Sequence, residues 1–193
     1  ATVLADYMIA NLSVQAMIWQ TSPAATEMET RVLDWLRQGL GLSGGFHGVI
    51  QDSASGATLA AVLTMRERAL NWKGNSEGLA ASAATRVYAS REVHTSIDRA
   101  IWIAGIGEAN LVRIPIKGPN RGMDPAALCA AIDADRAAGH IPAGIVACVG
   151  GTGTGATDDI AAVAEIAKKQ GLYLHIDAAW AGNAMLCPEF RDL

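Results

Sequence analysis

Apolar residues recur along the chain with two spacings, one typical of helices and one typical of buried strands. From Thr2 to Trp19 and from about Ala24 to Leu40 the apolar positions follow the helical period, with a break at Thr21, Ser22 and Pro23. This pattern predicts two helices at the start of the chain. The glycines at 39, 41, 44 and 45 predict that the second helix ends there.

From residue 48 onward, short apolar runs alternate with helical segments. Asp124 is expected to cap the helix that follows it, and Asp158 is a good N-cap for a later one. Repeated strand–helix units predict an α/β fold with a mostly parallel sheet flanked by helices. The predicted strands are 48–51, 86–89, 111–114, 144–149 and 172–176, the predicted helices are 53–72, 94–104, 125–138 and 158–169, and 74–84 is predicted to be a surface loop.

Composition narrows the class of protein. The 193 residues are 51% hydrophobic and 18% charged, which suits one soluble globular domain or part of a larger one. A net charge of −4 gives no electrostatic reason to expect nucleic acid or a membrane surface as a partner. Cys129, Cys148 and Cys187 are too far apart for a disulfide framework or a metal site, so we expect no metal and a cytoplasmic location.

Two loops have the composition of phosphate-binding segments. In QDSASGAT (51–58), small residues and hydroxyls precede a predicted helix. In VGGTGTGA (149–156), the pattern G-x-G-x-x-A follows a predicted strand, and Asp177 comes about 20 residues later at the end of the next strand. This spacing also suits an NAD(P)-dependent oxidoreductase, which would use Asp177 on a ribose hydroxyl, whereas a pyridoxal phosphate enzyme would use Asp177 on the pyridine nitrogen.

Five ordered motifs resemble the group II pyridoxal-phosphate-dependent decarboxylases, with most similarity to the aromatic-L-amino-acid decarboxylase branch. The resemblance implies part of the large domain of a fold type I, aspartate aminotransferase-like enzyme. It also implies pyridoxal 5′-phosphate (PLP) as cofactor and decarboxylation of an L-amino acid, expected to be aromatic, to an amine and carbon dioxide. The motifs are SPAATEMETRVLDWL (22–36), GVIQDSASGATLAAVLTMRER (48–68), YASREVHTSIDRA (88–100), GGTGTGATDDI (150–160) and HIDAAWAGNAMLCPEFR (175–191).

The same resemblance implies roles for individual residues. Asp177 matches the aspartate that pairs with the pyridine nitrogen, and His94 matches the histidine that stacks on one face of the ring. Ala179 matches the small residue on the other face. The remaining matches are Ala54 and Ser55 to the phosphate site, Thr152 to a threonine near the cofactor, Asp158 to an acidic residue after it, and Thr26 to a position near the substrate.

The sequence also departs from the family pattern. Trp180 stands where many relatives have Tyr, and Gly56 stands where many have Glu. A histidine at position 94 favours simple decarboxylation over the aldehyde-forming reaction of some relatives, because those relatives tend to differ there. Which amino acid is the substrate stays open.

The cofactor-binding lysine of the family is expected beyond the last residue, Leu193. We therefore expect a fragment of a longer chain, with a helical segment (1–40) leading into a partial cofactor-binding domain (41–193) that stops before the Schiff-base lysine. Relatives are homodimers, so a homodimer is expected, and a second polypeptide could carry the lysine. The alternatives are the oxidoreductase that uses the GGTGTGA loop and a non-catalytic fragment.

Overall fold

The structure is a computed structural model that describes residues 1–80 and 82–191. It divides into two compact units, the first from Ala1 to Ile50 and the second from Gln51 onward. Within the described part of the chain, no helix combines the length and the hydropathy that a membrane span requires. The predicted loop over 74–84 includes Ala81, and the predicted domain over 41–193 ends at residues 192 and 193; these three residues lie outside the described ones.

The first unit contains two helices, α1 (Thr2–Leu12) and α2 (Pro23–Gly39). The predicted helix over 2–19 is too long, because Ser13 adopts a left-handed conformation (φ 52°) that ends α1. Proline at the first position of α2 has a backbone already suited to a helix start, so α2 begins close to its predicted residue. The strand predicted over 48–51 is wrong, since these residues pair with no strand. Instead, the backbone N–H of Ile50 donates to the Glu29 carboxylate (2.7 Å).

The second unit contains a four-stranded, wholly parallel sheet with helices on both faces. The strand order is β2-β1-β5-β6, and a separate antiparallel pair is formed by β3 and β4. Three short 3₁₀ turns cover Glu108–Asn110, Gly182–Leu186 and Pro188–Phe190. The elements are α3 (Ala54–Ala69), α4 (Gly74–Glu77), β1 (Thr85–Ser90), α5 (Ser96–Ile103), β2 (Leu111–Ile114), β3 (Ile116–Lys117), β4 (Gly122–Met123), α6 (Pro125–Ala137), β5 (Ile141–Cys148), α7 (Ile160–Gln170) and β6 (Tyr173–Asp177).

Alternate side chains of the central strands enter two hydrophobic clusters, one on each face of the sheet. On one face Val87 and Val146 pack with residues of α3 and α5. On the other face Tyr88 and Ile145 pack with residues of α6 and α7. This period-two division confirms the predicted α/β architecture, in which both faces of a parallel sheet are covered by helices.

Of the two helix caps predicted from the sequence, the one for α6 is confirmed and the one for α7 is wrong. Asp124 accepts a hydrogen bond from the Ala126 N–H (2.9 Å) and caps α6 as predicted. Asp158 does not cap α7. Its neighbour Asp159 does so by accepting from the Ala162 N–H (3.0 Å), which leaves the Asp158 carboxylate for another role.

Candidate functional site

A cavity of about 240 Å³ lies at the carboxyl end of the sheet, slightly below the roughly 300–1,000 Å³ of typical ligand pockets. Loops that follow parallel strands meet at this edge, so residues distant in sequence become neighbours there. Five residues singled out from the sequence line the cavity together: Ala54, His94, Thr152, Asp177 and Ala179.

Two other predicted residues do not line this cavity. Ser55 is exposed in the first turn of α3, beside Ala54. Thr26 belongs to the first unit, where its hydroxyl donates to the Ser22 carbonyl oxygen (3.3 Å) near the start of α2. The expectation that Thr26 lies near the substrate therefore stays a prediction.

Asp177 is the last residue of β6, and the strand pairing places it beside Cys148 at the end of β5. Its backbone carbonyl accepts from the Val149 N–H (2.9 Å), which fixes the end of the strand. One carboxylate oxygen, Oδ1, accepts from the Ala179 N–H (3.2 Å). A carboxylate has about four lone-pair sites, so Asp177 retains the capacity to accept a hydrogen bond from a ligand in the cavity.

The His94 ring is held in the turn between β1 and α5. Its Nδ1 accepts a hydrogen bond from the Ser96 N–H (3.1 Å) and lies 3.0 Å from the Ser96 hydroxyl oxygen. Because a backbone N–H can only donate, Nδ1 carries no proton, and the proton of the neutral ring is on Nε2. The helix predicted to start at His94 begins two residues later, so His94 is a loop residue whose ring lines the cavity.

The glycine-rich loop between β5 and α7 does not have the geometry that its G-x-G-x-x-A pattern suggested. In a dinucleotide fold this pattern turns directly from a strand into a helix, whose N-terminus receives the phosphates. Here α7 starts only at Ile160, and its first turn is capped by Asp159. Gly150 (φ 75°) turns the chain where an added Cβ would come within 2.4 Å of the Ala181 Cβ, so this loop packs closely against the segment after β6.

Asp158 is almost completely buried and stabilises the backbone next to this loop. Its two carboxylate oxygens accept from the Met123 N–H (2.6 Å) and the Cys148 N–H (2.7 Å), joining β4 to the end of β5. Burial raises the pKa of Asp158, and these two hydrogen bonds oppose that rise. Asp158 thus connects β4 to the end of β5, the part of the sheet that borders the cavity.

The sequence analysis missed two residues close to Asp177. His175 lies two residues earlier on β6 and therefore on the same face; burial lowers its pKa, against an opposing effect of the Asp177 charge. Its Nε2 is buried and has no hydrogen-bond partner among the described residues. Cys148 lines the cavity, and burial raises its thiol pKa to about 12, so it stays protonated at neutral pH. The period of two on β6 is the signal that could have identified His175.

The first turn of α3 adds a site suited to an anion. Ser53 caps the helix by accepting from the Gly56 N–H (3.1 Å), whereas the N–H groups of Ala54 and Ser55 have no partner within the helix. Such N–H groups and the helix dipole favour a negative charge. Both features would be used by a ligand that has a protonated ring nitrogen and an anionic group. The nitrogen would donate a hydrogen bond to Asp177, and the anionic group would bind at the start of α3.

Comparison with known proteins is consistent with this arrangement. Residues 1–193 match the family model described as the pyridoxal-dependent decarboxylase conserved domain. Tyrosine decarboxylase 2 of Arabidopsis thaliana is 42% identical over 198 residues, which cover 99% of this chain and 36% of that protein. Phenylacetaldehyde synthase of the same plant is 38% identical over 199 residues, covering 100% of this chain and 40% of that protein.

A solved structure has the same fold. The crystal structure of Oryza sativa TDC with PLP and tryptamine superposes with a TM-score of 0.89 at 37% identity, over 98% of this chain and 40% of that one. The chain thus spans about two fifths of the length of the relatives that it matches.

Proposed function

The chain belongs to the pyridoxal-dependent decarboxylase family, and on that basis we propose that the native protein uses PLP to convert an aromatic L-amino acid into its amine and carbon dioxide. The observation that carries this proposal is the meeting of Asp177, His94 and the first residue of α3 around one cavity. The aromatic substrate class follows from the names of the relatives, which act on tyrosine or form phenylacetaldehyde.

The residues around the cavity suit PLP in their chemistry. The Asp177 carboxylate would accept a hydrogen bond from the protonated pyridine nitrogen, and the N–H groups of Ala54 and Ser55 would receive the phosphate. His94 and Ala179 would lie against the two faces of the ring, and Thr152 would offer a hydroxyl.

When bound, PLP serves as the electron sink that accepts the electron pair left on Cα by the departing carboxylate. The Asp177 carboxylate would accept a hydrogen bond from the protonated ring nitrogen and so favour retention of that proton, which would keep the ring electron-poor. His94 presents an Nε2–H, since its Nδ1 already accepts from Ser96, and it can donate a hydrogen bond into the cavity. The small side chains of Ala54 and Ala179 leave space for a planar ring.

The first experiment is to titrate the native protein with PLP and to measure carbon dioxide release from L-tyrosine, L-tryptophan and L-DOPA. PLP binding with stoichiometric release of carbon dioxide and the matching amine would support the proposal. Binding of NAD(P)H with hydride transfer, and no binding of PLP, would overturn it in favour of the oxidoreductase alternative.

A second candidate is supported by the similarity to phenylacetaldehyde synthase, whose name indicates an aldehyde product. Both reactions release carbon dioxide, so the remaining product separates them. We propose the amine, because His94 stands where aldehyde-forming relatives tend to differ. Aldehyde and hydrogen peroxide as the dominant products from L-phenylalanine would replace the first candidate with the second.

The assembly and location of the protein are also proposals. We propose a cytoplasmic homodimer, with residues 1–40 leading into a cofactor-binding domain over 41–193 and Thr26 near the substrate. The attaching lysine is proposed to come from residues outside the present sequence, whether in the same chain or in a second polypeptide. Borohydride reduction of the PLP-loaded protein followed by peptide mapping would locate it, while light scattering would measure the subunit number.

A further inference from the structure

Two neighbouring loops contribute to the wall of the cavity at the carboxyl end of the sheet. The first, 91–95, follows β1 and contains His94; the second, 150–155, follows β5 and contains Thr152. The two loops belong to separate strand–helix units, whose strands β1 and β5 lie in the same sheet. Contacts between the loops therefore decide how far apart the His94 and Thr152 sides of the cavity stand.

One carboxylate, that of Glu92, provides such a contact. Its Oε2 accepts a hydrogen bond from the Thr154 hydroxyl (2.7 Å), and its Oε1 accepts from the Arg121 guanidinium (2.6 Å). The side chain of Glu92 is only 11% exposed, although its partner Arg121 is 49% exposed. Both oxygens of Glu92 are thus engaged, and Glu92 itself is not among the residues that line the cavity.

The backbone of Glu92 contacts the same loop a second time. A Cβ added to Gly151 would lie 2.8 Å from the Glu92 carbonyl oxygen, which is closer than side chains normally approach backbone oxygens. Gly151 therefore permits the close approach of the two loops, and the Glu92–Thr154 hydrogen bond holds them in that approach.

Arg121, the second partner of Glu92, has an unusual backbone conformation. It lies in the turn between β3 and β4 with φ 53°, a left-handed conformation that glycine adopts with less strain. The Arg121 hydrogen bond and then the Thr154 hydrogen bond hold the pKa of Glu92 below its usual range, so Glu92 is ionised at neutral pH. An ionised acceptor makes both hydrogen bonds stronger than neutral ones.

We propose that Glu92 is a positioning residue, whose carboxylate fixes the glycine-rich loop against the His94 turn and so sets the geometry of the cofactor cavity. This inference rests on the proposed function, in which that cavity binds PLP. Glu92 acts through Thr154 and Arg121, since it does not itself line the cavity. Its removal should loosen one wall of the cavity while the hydrophobic clusters on the two faces of the sheet stay intact.

The experiment compares Glu92→Ala and Glu92→Gln with the wild-type native protein. The dissociation constant for PLP is measured by fluorescence titration, and amide hydrogen exchange of a peptide over 150–157 is measured without PLP. We expect Glu92→Ala to weaken PLP binding about 10-fold and to speed exchange in that peptide by a similar factor, because two charge-assisted hydrogen bonds are lost. Glu92→Gln keeps an oxygen for Thr154, so its effects should be smaller, about 3-fold.

Matched variants identify the contact that matters. Glu108→Ala removes an exposed glutamate away from the cavity and should leave binding and exchange unchanged. Thr154→Val should weaken PLP binding in the wild-type background but add little to Glu92→Ala, since both changes remove the same hydrogen bond.

The possible outcomes separate this proposal from the proposed function. If wild-type protein does not bind PLP, the proposed function fails, and the exchange data alone decide whether Glu92 holds the loop. If wild-type protein binds PLP and Glu92→Ala binds equally well with unchanged exchange, the positioning role is wrong. A fall in Tm with faster exchange throughout β1 and β5 would also overturn the proposal, because Glu92 would then contribute to general stability only.

Discussion

Polar side chains at the two ends of the parallel sheet differ in whether protein groups already occupy them. At the amino end, the Tyr88 hydroxyl donates to Asp135 (2.8 Å), while the Arg86 guanidinium lies 3.3 Å from Asp135 and 2.9 Å from the His140 Nε2. At the carboxyl end, Asp177 lines a cavity, and among the described residues its carboxylate accepts one hydrogen bond, from the Ala179 N–H. The amino-end side chains pair with one another, although the buried Nε of Arg86 has no hydrogen-bond partner among the described residues, whereas Asp177 can still bind a ligand.

The difference indicates which polar residues have a structural role and which are available to a ligand. A buried polar group costs free energy unless it is paired, so the Tyr88–Asp135 hydrogen bond and the Arg86–Asp135 ion pair support stability, and the Asp135 carboxylate is already engaged by protein groups. Burial, followed by the hydrogen bond to Asp135, raises the pKa of Tyr88, which therefore stays protonated. Polar groups facing a cavity are the ones available for chemistry, and here they lie where strands end.

The largest expected effect comes from Asp177→Asn at the carboxyl end. Replacing the carboxylate would remove the proposed partner of the ring nitrogen, so we expect kcat/KM of the native protein to fall about 100- to 1,000-fold, as when one key electrostatic group is removed from an active site. The amine assay measures this fall, and Tm should change little. Asp133→Asn, an exposed change on α6, is the matched control. Activity of Asp177→Asn within threefold of wild type would remove Asp177 from the proposed site.

An intermediate effect of a different kind is expected from Arg86→Ala at the amino end. The Asp135 carboxylate would lose its cationic partner in a mostly buried position, so the free energy of unfolding should fall by about 1–3 kcal/mol. PLP binding should be unchanged, because the cavity lies at the other end of the sheet. Urea unfolding and PLP titration measure the two quantities, with exposed Arg68→Ala as the control. Weaker PLP binding without loss of stability would contradict the division between the two ends.

The smallest effect concerns His175, a partly exposed residue on β6 whose Nε2 is buried. Burial lowers its pKa from 6.5 in the folded state, so the unfolded chain binds the proton more tightly and stability falls as the pH drops below about 6.5. His175→Gln should flatten this fall by up to about 1 kcal/mol between pH 6.5 and pH 5. Urea unfolding at several pH values measures it, and exposed His47→Gln controls for loss of a histidine. Equal slopes in wild type and His175→Gln would show that His175 is not the responsible group.

Much of the fold could be predicted from the sequence because local patterns specify it. The apolar runs around Val87, Ile145 and Leu174 each form a strand, the first two of them mostly buried, and Asp124 caps α6 as expected. The prediction was wrong where a local pattern suited more than one structure. Gly48 to Gln51 reads as a strand, yet no neighbouring strand pairs with it, and strand formation requires a partner.

The candidate site shows the same limit at the level of single residues. Asp158 and Asp159 are adjacent and chemically identical, and both suit an N-cap. Only the tertiary structure assigns the cap to Asp159 and buries Asp158 under the cavity with hydrogen bonds from Met123 and Cys148. Likewise, the glycine pattern after β5 suited a dinucleotide site until the position of α7 ruled out the direct strand-to-helix turn.

The sequence by itself determined the family, the residue types of the candidate site, and the order of the four sheet strands and of the helices α3, α5, α6 and α7 that cover them, because periodicity and ordered motifs are properties of the chain. The tertiary structure decided which of those residues lie together. Strand register placed Asp177 beside Cys148, and the contact between the two loops gave Glu92 both Thr154 and Arg121 as partners. Contacts between residues as distant as 92 and 154 depend on packing, which no local spacing specifies.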